Sequence, residues 1–246
     1  MIWQTAKADD IGGRGDQQDR VEIFEAPDAN QAMLVLADGM GGHAGGELAA
    51  QAAVDAVRER WRHHLDEPVE PEEFLGAIVA AAHARINEVG KEHGLSPRST
   101  IVVLHLARGT ARWAHVGDSR LYLFRGDAAH ARTRDHSVVQ MLVDMGKLEK
   151  DEMGDHPDQN RLTQSLGGDQ EPKADFGESE MLADDIFVLC SDGLWENASE
   201  DEMARTARAG SLAHATSELA KLAAERGGKD GDNVTIAIAR IGAGAG

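Results

Sequence analysis

Four aspartates stand where the chain could do chemistry. Asp38, Asp118 and Asp192 each close an apolar run, and Asp232 stands just ahead of one. Asp38 and Asp192 are followed by glycine, and a single Asp-Gly is a common turn dipeptide. Strand ends in adjacent sheets can converge, however, and several carboxylates brought that close repel one another unless a divalent cation lies between them. An oxygen-only donor set with no cysteine or histidine cluster selects hard ions such as Mg²⁺ or Mn²⁺ over zinc. Two ions about 3.5–4 Å apart can hold a bridging water, lower its pKa and direct it in line at phosphorus without a covalent phosphoenzyme. Such a centre also needs a phosphate clamp and a proton for the leaving oxygen. Arg14 suits the first because its planar fork matches phosphate oxygens two at a time, and His43 suits the second because its pKa lies near working pH.

The elements that must position these residues follow from periodicity and turn chemistry. Residues 1–8, 20–25 and 32–37 read as strands, the first two separated by a polar turn that carries Arg14, Asp16 and Asp19. From Gly46 onward Leu48, Ala49, Ala52, Ala53, Ala56, Val57 and Trp61 recur at helical spacing. Phe74, Leu75, Ile78, Val79, Ala82, Ile86 and Val89 repeat the pattern after Pro68 and Pro71. These are two consecutive amphipathic helices with no strand between them. Strands are predicted over 100–107, 111–117 and 121–125, with connections at Arg108-Gly109-Thr110 and Asp118-Ser119-Arg120 short enough for antiparallel hairpins. A short helix is expected over 136–146, and a polar, aperiodic stretch to about residue 175 reads as a functional flap. Asp185 to Cys190 is a further strand. Ser199 with Glu202 forms a capping box, Leu212 to Ala223 a helix, and Val234 to Ile241 the last strand, before a tail at 243–246 expected to be disordered.

Composition narrows the partners. The chain has 246 residues, 41% of them hydrophobic, enough for one large core. Lys and Arg number 25 against 43 Asp and Glu, and the net charge of −18 argues against a nucleic-acid or anionic-membrane surface. The lone cysteine, Cys190, excludes an intramolecular disulfide. With no apolar signal core and no bilayer-length apolar run, a soluble, cytoplasmic protein is expected.

Eight ordered motifs resemble those of the metal-dependent protein serine/threonine phosphatases of the PPM (type 2C) family, in the compact bacterial form. They are Arg14…Gln18-Asp19; Asp38-Gly39-Met40-Gly41-Gly42-His43…Gly46-Glu47; Ser99-Thr100; Val116-Gly117-Asp118-Ser119-Arg120; Thr133-Arg134-Asp135-His136-Ser137; Leu162-Thr163-Gln164-Ser165-Leu166-Gly167; Ser191-Asp192-Gly193-Leu194-Trp195; and Gly231-Asp232-Asn233-Val234-Thr235. The resemblance covers about residues 4 to 240. It implies an α+β fold, a four-layer αββα sandwich of two antiparallel sheets flanked by helices, as one catalytic domain over 1–242 with a flap around 147–175. It further implies hydrolysis of phosphoserine and phosphothreonine by a water bridging two Mn²⁺ or Mg²⁺ ions. Asp38 would bridge the ions, the Gly39 carbonyl would bind one, Asp192 and Asp232 would complete the pair, and Asp118 would help hold a third. Arg14 would clamp the phosphate, His43 would protonate the leaving group, and Gln18, Asp19 and Asn233 would neighbour the ions. The expected partners are phosphorylated proteins and a Hanks-type Ser/Thr kinase, with the chain a monomer.

The sequence departs from the family pattern at two places. Gln18 replaces a usual Glu, and Arg98 puts a cation where relatives have glycine before the Ser-Thr pair. A rival reading is also visible: Gly39-Met40-Gly41-Gly42-His43-Ala44 satisfies the G-x-G-x-x-A dinucleotide fingerprint. That fold requires a parallel strand directly after the helix, where residues 68–94 supply a second helix instead. A third reading, a non-catalytic binding module of the family, would be expected to lose ligand aspartates, and this chain keeps them.

Overall fold

The two long helices form where the apolar spacing predicts them. The computed structural model describes residues 2–242 apart from 29, 68 and 127, without the side chains of 43, 44, 66, 150, 151 and 155. The tail at 243–246 lies outside the described residues. Helix α1 covers His43–Asp66 and α2 covers Pro71–His93. Pro71 opens α2 where a missing N–H breaks no helical bond, and Gly94, at φ 66°, ends it in the left-handed region.

Two sheets lie beside these helices. One is built from β1 (Ile2–Asp10), β7 (Arg120–Arg125), β8 (Ala128–Arg132), β10 (Ile186–Cys190) and β11 (Val234–Gly242), in the order β1-β11-β10-β7-β8. The other contains β2 (Asp19–Glu25), β3 (Gln31–Met40), β5 (Ile101–Ala107), β6 (Thr110–Val116) and β9 (Asp175–Glu180) in that order, with the two-residue β4 (Arg98–Ser99) pairing the end of β3. Every pairing between named strands is antiparallel. The remaining helices are α3 (Val138–Asp144), α4 (Asp192–Trp195), α5 (Glu200–Arg208) and α6 (Leu212–Gly227). The expected capping box of Ser199 and Glu202 starts α5.

Three apolar cores show how the layers stack. Met33, Val35 and Val103 pack with Trp61, Phe74 and Ile78 of the two long helices. Leu34, Leu36 and Leu104 meet Leu121, Phe187 and Ile241 between the sheets. Val188 and Ile236 pack with Met203 and Leu219 of α5 and α6. Because strand side chains alternate faces, β10 and the apolar run of β3 over residues 32–37 feed two cores each. The architecture is the four-layer αββα sandwich of the α+β class.

One connection differs from expectation. Arg108 and Gly109 (φ 51° and 80°) do turn a hairpin between β5 and β6, but Asp118-Ser119-Arg120 does not. There the chain leaves one sheet and enters the other: β6 pairs with β5 and β9, whereas β7 pairs with β10 and β8. Gly117 permits the crossing at φ 108°, with the Thr100 side chain lying 2.6 Å from where a Cβ would be. Asp118 and Ser119 are consequently buried at the corner between the sheets.

Strands β8 and β9 and the single turn α4 add to the predicted set. The stretch from 147 to 175 is irregular, with one 3₁₀ turn over Lys150–Asp155. It is anchored at isolated bridges, Ser137 to Leu162 and Ser99 to Leu166. Cys190 is buried, and burial pushes its thiol up to about 12. Among the described residues, no helix is long and apolar enough to cross a membrane.

Candidate active site

Asp38 is fixed by its own backbone. Its N–H donates to Thr100 Oγ1 at 3.0 Å, and its carbonyl accepts from the Thr100 N–H at 2.8 Å and from Ser99 Oγ at 2.9 Å. Directly across β2 and β3, its register partner is Asp19. The glycines behind it serve close approach: a Cβ on Gly39 would lie 1.9 Å from the Gly46 carbonyl oxygen, and one on Gly46 would lie 2.2 Å from Gln18 Oε1. The first turn of α1 therefore rests on the end of β3 and on Gln18. Among the described residues α1 leads into α2 and every pairing between named strands is antiparallel, so the dinucleotide reading of this glycine run does not hold.

The other aspartates arrive from distant elements. Asp192 opens α4 after β10, Asp232 precedes β11, and Asp118 sits at the corner between the sheets. Together with Asp38 and Gly39 they line a pocket of about 260 Å³. Arg14, Gln18, Met40, Asn160, Leu162 and Asn233 complete its wall. Asp19 is buried, and its Oδ2 has no hydrogen-bond partner among the described residues.

The electrostatics follow from packing acids together. Burial, then the charges of Asp19, Asp192, Asp118 and Asp232, raises Asp38 well above the usual carboxylate range. Burial, then Asp118 and Asp232, does the same to Asp192. Asp19 is pushed up to about 7 by burial, with Asp232 adding to the effect. Asp118 also reaches about 7, through burial and then Asp135. Acids arranged this way favour a counter-charge, and a divalent cation ligated only by oxygen fits them.

Arg14 reaches the same pocket. Its Nη2 donates to Asp232 Oδ2 at 2.7 Å, and its side chain remains about half exposed. The loop carrying it is held by Asn233, whose Nδ2 donates to the carbonyls of Ile11 (2.9 Å) and Asp16 (3.1 Å) and whose Oδ1 accepts from the Gln18 N–H (2.8 Å). Asn233 thus ties the Arg14 loop to the residue beside Asp232. The backbone of His43 begins α1, while its side chain lies outside the described residues.

Several neighbours carry no role in the sequence reading. Arg120, buried, makes a two-pronged bond to Asp135 through Nε and Nη2 at 2.8 and 2.5 Å. Its guanidinium lies 3.5 Å over the Trp195 ring, and Trp195 Nε1 donates to the Asp118 carbonyl at 3.0 Å. This stack positions Asp118. Glu196, raised by burial and by Asp232, stands four residues after Asp192, a helical spacing that the sequence displays. Asn160 and Leu162 come from the irregular stretch, where no periodicity announces them. Arg98 points to the base of that stretch, with Nη1 on Ser165 Oγ at 3.3 Å.

His115, His136 and Asp175 also gather within reach of one ion. Their chemistry argues otherwise. The two imidazoles stack with centroids 4.7 Å apart at 19°, so their in-plane lone pairs do not converge. His136 Nδ1 accepts from the Gly117 N–H, which puts the ring proton on Nε2, 3.4 Å from Asp175 Oδ2. The group is a hydrogen-bonded strut between β9 and the Gly117 corner.

Comparison with known proteins identifies the family. Residues 15–227 match the family model described as Protein phosphatase 2C. The chain is 34% identical over 233 residues to Protein phosphatase PhpP of Streptococcus pneumoniae, covering 93% of this chain and 94% of that protein. The solved serine/threonine phosphatase of S. agalactiae superimposes with a TM-score of 0.88 at 30% identity, over 98% of this chain and all of that one. The catalytic domain of the serine/threonine protein phosphatase PstP, solved in complex with two manganese ions, does so with a TM-score of 0.76 at 30% identity, over 98% and 99%. The chain belongs to the protein phosphatase 2C family, whose members are metal-dependent hydrolases.

Proposed function

We propose that this chain hydrolyses phosphoserine and phosphothreonine in proteins, using Asp38, the Gly39 carbonyl, Asp192 and Asp232 to hold two Mn²⁺ or Mg²⁺ ions, with Asp118 contributing to a third. The observation that carries the reading is the convergence of these aspartates, far apart in sequence, in one pocket with Arg14. When bound, such ions supply Lewis acidity and an activated water at neutral pH, so that a phosphate ester can be cleaved directly by water, without a phosphoenzyme.

The chain's own groups do the rest. Asp38 is paired with Asp19 across two strands and bonded through its backbone to Ser99 and Thr100, a fixed frame that makes this donor rigid. Arg14 keeps one N–H on Asp232 and has further N–H donors to offer a phosphate, so the same side chain reads substrate and senses the acidic cluster. Asn233 fixes the Arg14 loop, and the Arg120–Trp195 stack fixes Asp118. Asn160 and Leu162 border the pocket, which gives the 147–175 stretch a hand in admitting substrate. His43 is assigned the proton for the departing serine or threonine oxygen.

The substrates follow as phosphoproteins made by a Ser/Thr kinase, in keeping with the names of the relatives. The test is hydrolysis of a phosphothreonine peptide with and without Mn²⁺ and Mg²⁺. Activity only with an ion supports the reading, and metal-independent turnover contradicts it.

A further inference from the structure

Outside the acidic pocket, one surface feature lacks a role. Along α2, three hollows join through shared walls. The first, of about 390 Å³, opens at Ser96 and Pro97 and shares His83 and Glu171 with the second, of about 330 Å³. The second shares Phe176 with the third, of about 570 Å³, which ends at Trp113. One wall is a single face of α2, since Leu75, Val79, His83 and Asn87 recur at helical spacing. The opposite wall is the arm leading into β9, the free edge of its sheet.

The trough begins beside the pocket. Met40, which lines the pocket, pairs with Arg98 across β3 and β4, and a Cβ on Gly41 would meet Pro97 Cα at 3.3 Å. Its walls are preorganised: the Gly167 N–H donates to His83 Nδ1 at 3.1 Å, and Asn87 exchanges hydrogen bonds with Gly168 in both directions, at 2.8 and 3.0 Å. The floor is apolar, built from Leu75, Val79 and Ala174, with the ring of Phe176 left 47% exposed. The rim is acidic. Glu70, Glu72, Asp169, Glu171 and Glu178 outnumber the cations Lys91 and Arg112 of the same walls and Arg98, whose guanidinium lies against Gly168, and Arg112 is already paired with Glu178 at 3.0 Å.

Resting on the function proposed above, we propose that this trough docks a basic, extended segment of the phosphoprotein substrate, flanking the phosphorylated residue. Lys and Arg side chains meet the acidic rim, and alternate apolar side chains enter the hollows at Phe176 and Leu75. From Glu72 to Lys91 the helix rises about 28 Å, room for roughly eight or nine residues of extended chain. The free edge of β9 offers backbone groups for such a chain to pair with. An acidic segment is repelled from the same trough, so the surface sorts substrates as well as binding them.

The experiment compares p-nitrophenyl phosphate, a short phosphothreonine peptide, and that peptide extended on either side by nine residues of alternating Arg and Leu or of alternating Glu and Leu. On one side, the Arg/Leu extension is expected to lower KM about tenfold at unchanged kcat, as one or two anchoring contacts would. Glu171→Gln with Glu72→Gln, or Phe176→Ser alone, should remove that gain and leave p-nitrophenyl phosphate turnover unchanged. Glu59→Gln with Glu88→Gln, in the separate groove between α1 and α2, should leave the gain intact. Binding of the unphosphorylated Arg/Leu segment, followed by fluorescence anisotropy, reads the trough without catalysis, so a protein with no turnover would defeat the functional reading and not this one. Equal KM for both extensions, or equal loss in trough and control variants, overturns the proposal.

Discussion

Asp19 and Asp38 face each other as register partners across β2 and β3, two carboxylates side by side at the edge of the pocket. Their raised pKa values set the response to pH. A carboxylate whose folded pKa lies above its unfolded value stabilises the fold fully at low pH and loses that contribution as pH rises through the folded pKa. With Asp19 and Asp118 at about 7, and Asp38 and Asp192 also raised, the metal-stripped protein should lose this contribution as pH rises through about 7. The buried histidines oppose this in part, because burial lowers His64, His105 and His115 and their contribution grows until the unfolded imidazoles, with pKa 6.5, have lost their protons. These histidines lie outside the acidic pocket, so the ion-dependent rescue reads the aspartates. The check is thermal melting in EDTA against melting in Mn²⁺, whose rescue should be larger at pH 8.5 than at 6.5. A rescue by Mn²⁺ no larger at pH 8.5 than at 6.5 would contradict the cluster.

Arg14 stands half exposed with its guanidinium on Asp232. Truncation to Ala removes a charged donor to phosphate, an effect of about 2–3 kcal/mol, or roughly 30- to 150-fold in kcat/KM. Arg14→Lys should recover only part of it, because one ammonium replaces a two-pronged fork. Steady-state kinetics on a phosphopeptide decides, and full activity in Arg14→Ala would remove the clamp.

Asn233 uses its side chain for three hydrogen bonds into the Arg14 loop. Asn233→Ala should therefore weaken Mn²⁺ binding by about 10- to 100-fold without removing any proposed ligand. Titration calorimetry on the metal-stripped variant measures this directly. Unchanged affinity would reduce Asn233 to a loop fastener.

The Arg120–Asp135 pair is almost wholly buried, with side-chain exposures of 7% and 1%. Arg120→Met leaves Asp135 charged and alone, at a cost of about 3–5 kcal/mol in unfolding free energy. Arg120→Lys keeps the charge but loses both the second prong and the stack on Trp195. It should fold less stably and bind any ion at Asp118 more weakly. Denaturant unfolding that leaves both variants at wild-type stability would refute the role given to the stack.

Much of this could be read from residue order, and what could not has physical causes. The helices α1 and α2 declare themselves because long apolar faces recur at 3.6 residues. Asp38 and Asp192 declare themselves because apolar runs stop at them, although β3 itself continues past Asp38 to Met40, where it pairs with β4. The crossing at Asp118 was invisible because a three-residue link serves a hairpin or a change of sheet equally well, and only the packing of Gly117 on Thr100 decides. Strand β9 reads Asp-Phe-Gly-Glu-Ser-Glu, with no apolar alternation, because it is an edge strand with most of its side chains in solvent. Strand β8, Ala-Ala-His-Ala-Arg, hides for the same reason. The contributions of Asn160 and Leu162 depend on how an irregular stretch folds back over the pocket, which local propensity does not encode.

His43 marks where geometry stops and chemistry must speak. If it protonates the leaving oxygen, His43→Ala should slow alkyl phosphate hydrolysis about 10²- to 10⁴-fold and affect an aryl phosphate, whose leaving group needs less help, far less. Equal losses on both would take the role away.

The claim that the aspartates hold the ions on which catalysis depends is tested most directly by one titration. Metal-stripped wild-type protein and Asp38→Asn are each given increasing Mn²⁺ while hydrolysis of a phosphothreonine peptide is followed. The account predicts no turnover in EDTA, saturable activation of the wild type, and none in the variant at any concentration. Turnover in EDTA, or activation of Asp38→Asn to the wild-type rate, would contradict it.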